Sequence, residues 1–214
     1  MNRLPVIVRQ HIAAFRALLV FTVICGLIYP LVMTGVSQLA FHNQANGSMV
    51  TFNGKTVGSG LLCQEFVDAK GNPLPQYFQP RPSYAIPSPA PKDDYGCDPT
   101  YSSASNLGPT NPTLVQATAA RQKAIAAFDH VPVSQIPPDA VTASGSGLDP
   151  DISPQNAAIQ VNRVAAARHL PVSTVRGLVA KYTQGRTLGF LGEPRVNVLN
   201  LNIALDELPG QSGG

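Results

Sequence analysis

The sequence predicts an α+β fold: a single N-terminal transmembrane helix followed by one compact mixed α/β domain. Three observations carry this expectation. Residues 17–41, ALLVFTVICGLIYPLVMTGVSQLAF, contain no Asp, Glu, Lys or Arg. Two helix starts, Asn111-Pro112 and Ser153-Pro154, place a capping side chain before a proline at the first turn. Asn53-Gly54 lies between β-favouring residues, and both positions tolerate positive φ, as a tight hairpin requires. With 20 Pro, 18 Gly and only 13% charged residues in 214, long irregular connections are also expected.

The N-terminal part comes first. Residues 1–16 carry Arg3, Arg9 and Arg16, and the next basic residue is Lys55. As a helix, the 25 residues of the apolar run would reach about 37 Å, against a hydrocarbon core of about 30 Å. The arginines place the N-terminus in the cytoplasm and residues 42–208 outside it, in the periplasm or its equivalent. A cleaved leader is the rival reading, but the run exceeds the usual apolar core of about 7–15 residues in such leaders. Pro30 inside the span, with Gly26 and Gly35, suggests packing against other membrane helices. Cys25 reads as a small apolar filler.

Within the domain, residues 67–111 look irregular, because proline removes donors and bars ladders. Tyr77, Phe78, Tyr84 and Tyr95 supply apolar area, so a packed loop is expected there. A helix should run from Pro112 to about Phe128, with Leu114, Thr118, Ile125 and Phe128 near one face. A second begins after Ser153, with Ala158, Val161, Ala165 and Arg168 along one side. A third should span Thr174 to Tyr182 and close at Gly185. TLGFLGEPRVNV reads as strand, turn, strand. LNLNIALD alternates from Leu199 to Leu205, which favours a strand over a short helix. Residues 209–214 read as a disordered tail.

Most chemical motifs fail on inspection. The net charge is +3 with no basic run interleaved with aromatics, which argues against nucleic acid. Gly54-Lys55-Thr56 resembles the end of a phosphate loop, but position 49 is Met rather than Gly. The segment TASGSGLDPDIS, residues 142–153, is richer. Ser146 lacks the full Gly-x-Ser-x-Gly frame of a nucleophile, because Ser144 occupies the first glycine position. His130 and His169 are candidate bases with nothing to bring them near. Gly145 to Gly147 could form a phosphate nest. Asp149 and Asp151 lack calcium-loop spacing. The favoured reading is shape: glycine turns, aspartates bonding local amides, and Ser153 capping a helix. Glu193 and Arg195 read as a turn and an ion pair. No residue set resembles a metal site. Cys63 and Cys97 would face an oxidising compartment, where a disulfide between them is one of two open alternatives.

Taken in order, YPLVMTG (29–35), GSGLLCQEF (58–66), YFQPRPS (77–83), SASNLGPTNP (103–112), VTASGSGLDPDISPQNAAIQVNRVAAAR (141–168) and GRTLGFLGEPRVNVLNLNIALD (185–206) cover nearly the whole chain. Together they resemble the C subunit of the Kdp-type potassium-transporting ATPase of prokaryotes. The resemblance implies a non-catalytic accessory subunit of a high-affinity potassium uptake pump in the bacterial inner membrane. It implies a potassium-channel-like partner, a P-type ATPase partner that hydrolyses ATP, and a small single-span subunit. It also implies a catalytic-chaperone role that raises the ATPase subunit's affinity for ATP. A domain outside the cytoplasm cannot touch cytoplasmic ATP, so no cofactor is assigned to this chain itself. The rival class is a membrane-anchored extracytoplasmic enzyme or binding domain. Candidate docking or packing residues are Tyr29, Pro30, Gly145, Ser146, Gly147, Asp149, Gln160, Arg163, Gly192, Glu193, Arg195 and Asn197. On this topology Gln160 and Arg163 read as helix-surface or partner contacts. The chain departs from the family pattern at Cys63 and Pro80, where Gly is common, and at Asp151, where His is common.

Overall fold

A computed structural model of the chain describes residues 5–86 and 96–209. Tyr95 and most of the expected tail, residues 210–214, lie outside the described residues. The chain divides into two compact units, residues 1–48 and 49–214.

The first unit is a long apolar helix. It begins at Val6, well before the charge-free run, and continues to Ala40 over 35 residues with mean hydropathy 2.3 in its apolar window. Arg9 and Arg16 are therefore helical. Helix α1 (Val6–Val23) passes into a single wide turn (Ile24–Ile28) and then α2 (Tyr29–Ala40). In the wide turn the Tyr29 amide donates to the Ile24 carbonyl five residues back. Pro30 explains the position: it has no N–H to continue the ordinary ladder, and its ring crowds the preceding turn. A short helix, α3 (His42–Ala45), completes the unit.

The second unit opens with an antiparallel hairpin, β1 (Met49–Phe52) and β2 (Lys55–Ser59). Asn53 and Gly54 both take left-handed φ, 49° and 75°, as a two-residue hairpin turn requires. The Pro-rich segment follows and is packed, as its aromatic content suggests. Phe78 is fully buried, and its amide and carbonyl are clamped by the Asn202 side chain, each at 2.9 Å.

Helix α4 (Pro112–Asp129) starts where expected, with the Asn111 side chain accepting from the Thr113 amide. A one-turn helix, α5 (Pro138–Val141), leads to β3 (Asp151–Ile152) and α6 (Pro154–Ala167). The Ser153 hydroxyl caps α6 by accepting from the Asn156 amide at 3.0 Å. The buried face of α6 is Ala157, Val161, Val164 and Ala165, while Ala158 is exposed. Helix α7 (Val172–Tyr182) runs directly into β4 (Thr183–Gln184). Gly185 does not close it: Thr183 ends the helix by turning into the sheet. The expected strand–turn–strand is shifted. Residues 187–191 form a turn with a single Thr187–Leu191 bridge, and β5 (Arg195–Asn197) pairs antiparallel with both β4 and β3.

The alternating segment is a helix, α8 (Val198–Asp206), contrary to its period. Asn197 caps it by accepting from the Asn200 amide at 3.0 Å. Val198, Leu201 and Leu205 also fit a helical period, and all three are buried. They join Phe78, Val164, Val175 and Val196 in the main core between α6, α7, α8 and the three-stranded sheet.

Candidate functional site

The region around residues 142–153 is a junction where four segments of the domain meet. Ser144 Oγ accepts from the Gly147 amide at 2.9 Å, and Ser146 Oγ accepts from the Leu148 amide at 3.1 Å. The loop carbonyls are bonded outward. Ser146 accepts from the Ser103 amide at 2.9 Å and the Ser102 hydroxyl at 3.0 Å. Gly147 accepts from the Ser83 hydroxyl at 2.6 Å. Leu148 accepts from the Cys63 amide, and Pro150 from the Val198 amide. Asp149 accepts from the Asp151 amide at 3.0 Å and pairs with Arg81 at 2.8 Å.

Cys63 and Cys97 are joined, with Cα atoms 5.5 Å apart. The bridge lies against this loop, since the Cys97 amide donates to the same Ser83 hydroxyl that bonds Gly147.

Only one of the loop's two glycines needs its type. Gly147 has φ +73°, and a Cβ there would lie 2.4 Å from the Ser103 carbonyl oxygen and 2.9 Å from the Ala85 nitrogen. A Cβ on Gly145 meets nothing within 4 Å, and its φ is not left-handed. The Gly147 and Leu148 amides, which a phosphate nest would present, are occupied by serine hydroxyls. Ser146 Oγ bonds Leu148 and lies 3.4 Å from Ser144 Oγ. Among the described residues no hydrogen bond links it to His130 or His169.

The other ion pairs differ from the sequence reading. Glu193 pairs with Arg186 through both carboxylate oxygens, at 2.9 and 2.7 Å, and not with Arg195. Arg195 pairs with Asp151 at 3.1 Å. Asp151 accepts from the Asn197 side chain rather than from a local amide. Burial, then the neighbouring Asp149 charge, push the Asp151 carboxyl above its ordinary value, with Arg195 opposing.

Gln160 and Arg163 correct the surface reading most clearly, because both are buried. Ser153, Asn156, Gln160 and Arg163 follow helical spacing on α6 and form an internal polar stripe. Arg163 Nε pairs with Asp129 at 2.7 Å, and its other nitrogens donate to the Pro75 and Tyr77 carbonyls and to Gln160. The guanidinium also lies 4.3 Å over the Phe128 ring. Gln160 exchanges hydrogen bonds with the Gln79 backbone, at 2.7 and 3.2 Å. Asn156 and Ser153 both donate to Asp139. The stripe therefore joins α4, α5, α6 and the Pro-rich segment. Burial raises the Asp129 carboxyl, and the Arg163 charge pulls it back. A cavity of about 460 Å³ opens beside the stripe, with Arg81, Arg121, Phe128 and Pro80 among its lining residues. Polar residues at spacing 3-4-3 on a predicted helix were the available sequence signal for this stripe. Tyr29 and Pro30 lie on the exposed apolar helix.

The family model described as "K+-transporting ATPase, c chain" matches residues 11–207. The chain belongs to that family. Full-length relatives agree. A potassium-transporting ATPase KdpC subunit of Paraburkholderia phymatum is 50% identical, covering 93% of this chain and 95% of its own. Proteins of the same name from Beijerinckia indica and Mycobacterium bovis are each 48% identical, covering 92% and 94% of this chain and 93% and 99% of their own. A family subunit of this kind works as part of an ATPase complex, and its single described helix of membrane-spanning length and composition fits a membrane-anchored member.

Proposed function

We propose that the chain is a non-catalytic accessory subunit of a high-affinity, ATP-driven potassium uptake pump, needed for the assembly and stability of the complex. In this reading a P-type ATPase subunit hydrolyses ATP, a channel-like subunit binds potassium, and a small single-span subunit completes the assembly. The N-terminus lies in the cytoplasm, and the domain lies outside the inner membrane.

The observation that carries the topology is the Cys63–Cys97 bridge on the far side of the apolar helix from Arg9 and Arg16. Disulfides persist in oxidising compartments, and basic residues stay inside. ATP and potassium are then handled by the complex, not by a cofactor site here. Any increase in ATP affinity would reach the catalytic subunit through the membrane segments.

Two measurements test this. The tagged chain is purified from its native membrane in mild detergent, with mass spectrometry of what accompanies it. Near-equal recovery of a P-type ATPase and a channel-like protein is expected, and recovery of the chain alone would refute the assembly role. Sealed cells are then treated with a membrane-impermeant thiol reagent after mild reduction. Labelling of Cys63 and Cys97 from outside is expected, and labelling only after lysis would refute the orientation.

A further inference from the structure

The turn at residues 187–191 was absorbed neither by the core nor by the loop junction. The Phe190 amide donates to the Thr187 carbonyl at 3.3 Å, and Thr187 and Leu191 exchange two backbone bonds at 2.9 Å. Leu188 and Gly189, at its centre, both take left-handed φ, 55° and 82°. The molecule contains a direct comparison. The β1–β2 turn has the same pair of signs and uses Asn53-Gly54, the residues that tolerate them. Here a leucine stands where such a turn disfavours any branched, Cβ-bearing side chain. A strained residue held in place points to a use for its side chain.

That side chain is in water. Leu188 is 79% exposed, Phe190 69% and Leu191 49%. Among the described residues of the domain, no other stretch of four exposes three large apolar side chains. The base is fixed by the two-oxygen Arg186–Glu193 pair and by the left-handed Gly192, φ 75°.

We infer that this tip, centred on Leu188 and Phe190, is a pre-shaped plug that seats in an apolar pocket on an extracytoplasmic segment of a membrane subunit of the same pump. The inference rests on the assembly reading above. A protein pocket fits better than lipid for three reasons. The tip is rigid, which favours a shaped partner by reducing ordering cost. Its rim carries Glu193, whose side chain is 78% exposed and which anionic headgroups would repel. It also lacks the Trp, Tyr or Lys residues by which interfacial segments anchor. Central apolar anchors surrounded by polar groups are the usual hot-spot arrangement.

The test uses the whole complex in its native membrane. A benzophenone-bearing phenylalanine analogue is placed at position 190 and, as a control, at Val115, an exposed position on α4. Illumination is expected to join position 190 to one extracytoplasmic segment of a pump subunit, mapped by mass spectrometry. The added change Leu188→Ser should lower that yield about ten-fold or more, as loss of an anchor would. With the complex intact, adducts to lipid only, or a yield no higher than from Val115, would overturn the inference and leave the assembly reading standing. Failure of the wild-type chain to co-purify with any pump subunit would overturn both.

Discussion

Replacing Gly147 with alanine should destabilise the domain, whereas the same change two residues earlier should not. The new Cβ would lie 2.4 Å from the Ser103 oxygen and 2.9 Å from the Ala85 nitrogen. Both are backbone atoms and cannot swing aside. The left-handed φ alone costs about 1 kcal/mol for a Cβ-bearing residue. Withdrawal of the loop would also break the Ser103–Ser146 and Ser83–Gly147 bonds, each contributing about 1 kcal/mol. The sum is about 3 kcal/mol, which in a domain of this size lowers Tm by about 6–12 °C. Near-UV circular dichroism of the purified full-length chain in detergent reads tyrosine packing in the domain rather than the membrane helix. Gly145→Ala should match the wild type or melt slightly higher, because its Cβ is unobstructed and the unfolded chain loses freedom. A Gly147→Ala protein melting within about 2 °C of wild type would refute the steric argument, given the expected shift.

Three further outcomes follow from the same structure. Asp129→Asn should cost about 3–5 kcal/mol by leaving the Arg163 charge buried without its partner, and a double change to apolar residues of similar volume should recover much of this in the same melt. Cys63→Ser with Cys97→Ser should cost about 3–4 kcal/mol by opening a loop of 34-residue separation; an unchanged melt under oxidising conditions would count against the bridge. Asp151 has a raised folded-state value, so in the window above its ordinary 3.8 the folded chain holds more protons than the unfolded one. Its contribution is present below that value and lost as pH rises through the folded value. Asp151→Asn should remove this decline, and a titration of Tm against pH that is unchanged by the substitution would refute the sign.

Much of the architecture could be read from local chemistry. The two proline-led helix starts, the Asn53-Gly54 turn and the apolar span each rest on a rule acting within a few residues. The misreadings came where tertiary contacts decide. Leu199 to Leu205 alternates like a strand, but the Asn197 cap and the clamp of Asn202 on Phe78 select a helix. Gln160 and Arg163 look solvent-facing by type. They are buried because Asp129, Gln79 and two carbonyls from a segment more than 80 residues away satisfy them. In the 142–153 loop its shape role was legible, but not which glycine mattered. That depends on Ser103 and Ala85, which no local pattern brings near Gly147.

The wide turn at Ile24–Ile28 has a consequence for how the membrane helix meets its neighbours. An inserted residue advances the side-chain phase by about 100°. A stripe that starts on one side in α1 therefore emerges on a different side in α2. Substitutions along Val6–Ala40 should not show one sensitive period of about 3.6 residues. They should show two, out of step with each other, with the break at the turn, so that one helix can address two different neighbours.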